Sequence, residues 1–270
     1  MDRLEIAVQA ARIGADVLLG HWQQLGKEHA DLKARNDWVS AADRESEAAI
    51  VEFLQDMCPD DACLGEEGGR TTRATGSGSG RMWIIDPLDG TSNYLQHFPF
   101  WSVSIALRDR DEMVVGVVYE PLRDEMFAAE KGGGAFRNDV RMKVSSQAEL
   151  DGAFLATGFP VRAQKFVSTY VRIFEDVVRR AKGVRRAGSA ALDLAYSAAG
   201  IFDGFFELHL APWDVAAGGV LLREAGGIVS DFSGGDKFWE RGNIVGAPPG
   251  VHRDLLEVIG RHTTEEQLDR

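Results

Sequence analysis

A chain of 270 residues, 44% of them hydrophobic, can bury a sizeable core as one large α/β domain or as two closely packed halves. Its 42 acidic against 30 basic residues give a formal charge of −12, which opposes general affinity for nucleic acid or an anionic membrane. No window reaches the ~18 consecutive apolar residues of a membrane span, and the N-terminus lacks the pattern of a signal peptide, so a cytoplasmic protein is expected.

Leu4, Ala7, Val8, Ala11, Ala15, Leu18, Leu19, Trp22 and Leu25 recur at helical spacing and predict an amphipathic helix over 3–25. Ser40 and Asp43 mark the start of a second helix with Ala49, Ile50, Phe53 and Leu54 inward. Cys58 and Cys63, spaced C-x4-C, match no common zinc pattern and read as free thiols. Residues 68–81, rich in Gly, Ser and Thr without periodicity, read as a mobile loop.

From residue 82 the period changes to two. "MWIID", "SVSIALR", "MVVGVVYEP" and "EMFAAEKG" predict strands joined as antiparallel hairpins. After Lys165 helices and strands alternate: a helix near 165–182, another from Ser189 to Ala199, the strand "DGFFELHL", a helix after Trp213, the strand "GIVSD", and a last helix from Val251. The change divides the chain into an α+β half, 1–150, and an α/β half, 151–270.

The chemistry concentrates in carboxylates. "WIIDPLDGTSN", residues 83–93, sets Asp86 at the end of an apolar strand and Asp89 on the turn that follows, where two unpaired anions would be costly. A divalent cation, or two bridged by Asp86, removes the repulsion. The six histidines form no metal-binding cluster, so the ligands are carboxylate oxygens and the ion a hard one, magnesium or manganese. A Gly90-Thr91 turn beside such ions offers backbone N–H groups to phosphate, and the threonine hydroxyl can hold a water. Asp43, Glu66, Glu67 and Asp214 stand at helix starts or turns. Taken one at a time they read as caps or solvated charges; taken together they read as a site.

"DPLDGTSN", with "GEE" upstream and "PWDVAAGGVLLREAGG" downstream, resembles the inositol monophosphatase family of magnesium-dependent, lithium-sensitive phosphatases. The likeness runs from "NDWVSAAD" at 36–43 to "GNIVGAP" at 242–248, and "RRAGSAALDLAYSAAGIFDGFFE" is similar to the bacterial inositol-1-monophosphatase branch. It implies the layered α-β-α-β-α sandwich of the inositol monophosphatase and fructose-1,6-bisphosphatase type, usually a homodimer. It also implies that Glu66, Asp86 and the Leu88 carbonyl hold one metal, that Asp86, Asp89 and Asp214 hold a second, and that Glu66 faces a weaker third. Asp43 and Thr91 then match the pair that positions the attacking water, with Glu66 beside them. Gly90 and Thr91 supply amides to the phosphate, Glu67 orients outer groups, and Glu207 matches the residue that receives inositol hydroxyls. Asp37 and Ser40 match the family's stretch, whereas the spacing at Lys33 departs from it.

The activity so implied is Mg²⁺-dependent hydrolysis of inositol-1-phosphate, using two to three ions, with Mn²⁺ as a substitute. Histidinol-phosphate, fructose-1,6-bisphosphate and 3'-phosphoadenosine 5'-phosphate phosphatases are the alternatives within the family. A binding partner of the transcription machinery is the alternative outside catalysis. The partners expected are a small phosphate monoester and a second copy of the chain, with no membrane and no direct nucleic acid.

Overall fold

The computed structural model describes residues 1–22, 24, 31–34, 37–39, 41–71, 79–160 and 164–264. In chain order its elements are α1 (Arg3–His21), β1 (Asp31–Ala34), β2 (Asp37–Val39), α2 (Ala41–Met57), β3 (Ala62–Gly65), β4 (Gly69–Thr71), β5 (Arg81–Asp89) and the short α3 (Thr91–Leu95). There follow β6 (Ser102–Asp109), β7 (Glu112–Glu120), β8 (Glu125–Glu130), β9 (Gly134–Arg137), β10 (Val140–Arg141) and β11 (Phe154–Thr157). The last third holds α4 (Val167–Arg180), β12 (Gly183–Arg185), α5 (Ala190–Ala198), β13 (Gly204–Leu208), α6 (Pro212–Glu224), β14 (Ile228–Ser230), α7 (Phe238–Arg241), β15 (Asn243–Ala247) and α8 (Pro249–Gly260).

Eight strands pair in the order β10-β9-β8-β7-β6-β5-β3-β4, antiparallel except where β3 runs parallel to β5. A second sheet has the order β12-β11-β13-β15-β14, with β11 parallel to both β12 and β13. Period-two alternation sorts the apolar side chains of each strand onto opposite faces. Trp83, Ile85, Val103, Ile105, Val115 and Val117 turn toward α1 and α2, while Ile84, Ala106, Val118 and Phe127 turn toward α5 and α6. Those two helices meet Ala156, Phe205 and Ile244 of the second sheet, whose other face, Leu155, Phe206 and Val245, packs on α4 and α8. The result is five layers, α-β-α-β-α, held by three apolar clusters, the middle one covering both faces of the α5 and α6 layer.

The middle layer is tight. A Cβ on Gly116 of β7 would overlap the Ala217 carbonyl of α6, so the helix lies directly on the strand's backbone. That contact fixes where the N-terminus of α6, and with it Asp214, arrives. All nine residues of α5 are buried, as expected of a helix clasped between two sheets.

Two expectations change. Residues 69–71 of the segment read as a loop form β4 against β3, while 72–78 lie outside the described residues, as do Ser40, Gln23 and Leu25. Helix α2 buries Ala42, Asp43, Ser46, Glu47, Ile50 and Leu54, whereas Ala49 and Phe53 sit at the side of that face. Three polar residues occupy its inward stripe because they bond to the segments that build the site.

Candidate active site

Asp86 and Asp89 are three residues apart, a spacing that points side chains to opposite faces of a regular strand. Pairing with β6 shows how they meet: Asp86 faces Ser104 and Asp89 faces Ser102, so three steps on β5 match two on its neighbour. That extra residue is a β-bulge, placed where Pro87 has no N–H to give the ladder. The Leu88 N–H donates to Asp86 Oδ1 at 3.0 Å and closes the bulge. The strand therefore runs through Pro87 to Asp89, past the turn expected after Asp86.

Asp214 comes from the first turn of α6, where its Oδ2 accepts the Ala211 N–H at 2.6 Å. Asp86, Asp89 and Asp214 each offer an oxygen within 4.8 Å of the others. Burial first, then the charges of Glu66, Asp89 and Asp214, push the Asp86 carboxyl well above the usual carboxylate range. Burial and Asp214 push Asp89 up to about 7, against the opposing pull of hydrogen bonds from Ser189 and Ala191. Those bonds run from the Ser189 hydroxyl and the Ala191 N–H to Asp89 Oδ2, at 2.6 and 2.7 Å. Three hard oxygen donors that repel one another fit a divalent cation with oxygen ligands.

Glu66 stands on the turn between β3 and β4 and lines the same cavity of about 140 Å³, outside the group of three. Leu88 lines it too, and its carbonyl accepts from the Thr91 hydroxyl, which lies 3.2 Å from both that oxygen and Asp43 Oδ1. Asp43 is 1% exposed. Gly90 precedes α3 with φ 99°, in the left-handed region, and a Cβ there would crowd the Phe100 and Gly188 carbonyls. The Glu67 N–H points away, donating to Glu47 Oε2 at 2.8 Å.

The cavity has other walls too: Gly158, Phe159 and Pro160, Arg186, and Glu207 to Leu210. The Glu207 carboxylate lies against Gly158, where a Cβ would overlap it. His209, left out of the expected site, lines the cavity with φ 66°. The Arg186 guanidinium sits 5.7 Å from the Phe159 ring centroid.

Sequence reading overlooked Glu47, Ser46, Ser189 and Asp193. Asp193 is 1% exposed, and burial with the charges of Glu207 and Asp89 pushes its carboxyl well up. Its position on α5 gave no signal, because a charge on a helix ordinarily marks the solvent face. Ser189 is legible as a helix start, and in the structure its hydroxyl caps α5, accepting from the Leu192 N–H. The bond to Asp89, 100 positions earlier, had no local signature. Among the described residues both cysteines are buried free thiols, and no helix is long and apolar enough to cross a membrane.

The profile of the inositol monophosphatase family matches residues 2–267. The Nus factor SuhB of Salmonella typhimurium (strain LT2) is 44% identical over 253 residues, 94% of each chain. Among solved structures, the extragenic suppressor protein suhB from Bartonella henselae superposes with a TM-score of 0.89 at 40% identity, covering 96% of this chain and 98% of that one. Inositol monophosphatase from Anabaena (Nostoc) sp. PCC 7120 gives 0.85 at 35% identity, covering 97% of both.

Proposed function

The chain belongs to the inositol monophosphatase family, and from that premise we propose that it hydrolyses inositol-1-phosphate to inositol and phosphate with Mg²⁺. The observation that carries this reading is the trio Asp86, Asp89 and Asp214, drawn together by a bulge and a helix start. With Glu66 and the Leu88 carbonyl they would hold two to three ions, Mn²⁺ serving as a substitute. Such ions, when bound, neutralise phosphate charge and make a water acidic enough to attack.

The protein's own groups do the rest. Thr91 and Asp43 hold the attacking water in line with the phosphorus, the hydroxyl fixed by its two acceptors at 3.2 Å. The Gly90 and Thr91 amides receive phosphate oxygens. Glu207, which lines the same cavity as Asp86 and Asp89, accepts hydrogen bonds from the hydroxyls of the leaving alcohol. No side chain needs to form a covalent bond to phosphorus.

Phosphate release from purified protein, supplied with Mg²⁺ and a panel of inositol-1-phosphate, histidinol phosphate, fructose-1,6-bisphosphate and 3'-phosphoadenosine 5'-phosphate, tests this. Inositol-1-phosphate should be hydrolysed fastest, excess chelator should stop turnover, and lithium should inhibit where sodium does not. Full activity in chelator, or no turnover of any ester with Mg²⁺ or Mn²⁺, overturns the reading. The protein is proposed to work as a homodimer, which sedimentation would check.

A second reading rests on the 44% identity to proteins named Nus factor: a role in the transcription machinery. The charge of −12 favours a protein surface over nucleic acid as the direct partner. Capture of transcription proteins by an inactive Asp89→Asn variant as readily as by the wild type would support this role as separate from catalysis.

A further inference from the structure

Helix α2 touches the site at three points on one stripe. Asp43 takes the Thr91 hydroxyl, Ser46 Oγ lies 3.4 Å from the Pro87 carbonyl inside the bulge, and Glu47 reaches the turn that carries Glu66. Positions i, i+3 and i+4 share one face of a helix, so a single rigid element meets three separate segments of the carboxylate centre.

The Glu47 contact is the most fully built of the three. Its Oε2 accepts the Glu67 N–H at 2.8 Å and its Oε1 accepts the Gly68 N–H at 2.6 Å, so both oxygens grip one turn of backbone. The carboxylate is 5% exposed, and the space it occupies exists because Gly65 has no Cβ; one would overlap it. Charge-assisted bonds of this kind are the strong ones, and here they fix the peptide units directly after Glu66.

We propose that Glu47 is a positioning residue for the metal centre, holding the Glu66 carboxylate at the cavity through the 66–68 turn. This rests on the metal-dependent reading of the site given above. Glu47 itself lies behind the turn and is not among the residues that line the cavity. Glu66 is the one carboxylate of the expected ligand set carried on a short turn between β3 and the edge strand β4, and without the clamp its backbone would have far more conformations open to it.

The test compares Glu47→Gln and Glu47→Ala with Glu52→Gln, which removes the same charge from an exposed position on the same helix. Mn²⁺ binding is measured by calorimetry, and exchange of the Glu67 and Gly68 amides is measured on metal-free protein. Glu47→Gln keeps the size but sets an NH₂ against a backbone donor. Its Mn²⁺ dissociation constant should rise about tenfold, the loss expected for an outer partner of a ligand. The two amides should exchange faster, and kcat should recover at saturating Mg²⁺. Glu52→Gln should match the wild type in all three measurements.

A folded Glu47→Gln protein with unchanged Mn²⁺ affinity overturns the proposal, as does a fall in kcat with no shift in the metal midpoint. Should Glu47→Ala not fold, fast exchange of both amides in the metal-free wild type would still overturn it. If the wild type binds no Mn²⁺, the metal-dependent reading fails first. If the wild type binds and Glu47→Gln binds as tightly, this inference alone fails.

Discussion

Two sets of walls of the cavity are built by different means. Around the carboxylates, position is set by backbone: a bulge at Pro87, a left-handed glycine at 90, and a helix start at Pro212 that brings in Asp214. On the walls proposed to receive the alcohol it is set by side chains from the ends of strands and loops, among them Phe159, 41% exposed, Arg186 and Glu207. Backbone features admit few substitutions, whereas side chains on strand ends exchange without disturbing the fold. On the proposed reading, the contrast separates chemistry, which the fold dictates, from choice of alcohol, which it leaves adjustable.

If that contrast holds, the largest loss follows from Asp86→Asn. This variant keeps the acceptor for the Leu88 N–H but removes one charge, and kcat/KM should fall by at least about a hundredfold for every ester, since even an outer partner costs 10–100-fold. Equal loss across esters marks the common part of the site. A fall confined to inositol-1-phosphate would break the comparison.

The same repulsion predicts a pH effect without metal. Folding raises the Asp89 carboxyl from 3.8 to about 7, so the native state holds a proton that the unfolded chain releases earlier. The stability this contributes is complete below 3.8 and is lost as pH rises through about 7. Metal-free protein should therefore melt at a lower temperature near pH ~8 than near pH ~5, and Mg²⁺ should remove most of the difference. Calorimetric scans at both values decide it. Metal binding should also strengthen across this range as the carboxyls give up their protons.

On the walls proposed for the alcohol, Glu207→Gln should weaken kcat/KM for inositol-1-phosphate by about 1–3 kcal/mol, the worth of a hydrogen bond to a charged group. p-Nitrophenyl phosphate, which has no hydroxyls to present, should be hydrolysed nearly as before. An equal fall on both substrates would place Glu207 with the metal site. The smallest effect is expected at the rim. Phe159→Ala removes a ring that packs at 5.5 Å from Tyr170 but is 41% exposed, so kcat should hold and stability should change by less than about 1 kcal/mol.

What could be read from the chain follows the same division. Helices α1, α4, α5, α6 and α8 and strands β5 to β8 announce themselves by period, because each has a long face to bury. The short strands β9, β10, β12 and β15 do not, although β13 and β14, five and three residues long, are legible from their apolar and β-branched residues. "NIVGA" is too short to show a period, and "GRT" at β4 has no apolar residue at all. "DPLDG" held the meeting of Asp86 and Asp89 as a puzzle of charge, yet the bulge that solves it appears only in pairing with β6. Glu47 and Asp193 were hidden for one reason. Each is a carboxylate facing inward on a helix, and only tertiary structure gives such a group a purpose there.

The order in which the chain supplies its carboxylates has a consequence for how the protein is made. A nascent polypeptide that has reached Arg141 contains every strand of the eight-stranded sheet and both Asp86 and Asp89. Asp214 follows only after β11, α4, β12, α5 and β13 have been synthesised. During that interval the two aspartates can meet beside Glu66, but without Asp214 and with no α6 behind them. A divalent ion that needs Asp86, Asp89 and Asp214 together would therefore be a ligand of the finished molecule alone. By mass action such an ion would draw the last assembly step forward, and its supply would become a condition on how much of the protein matures.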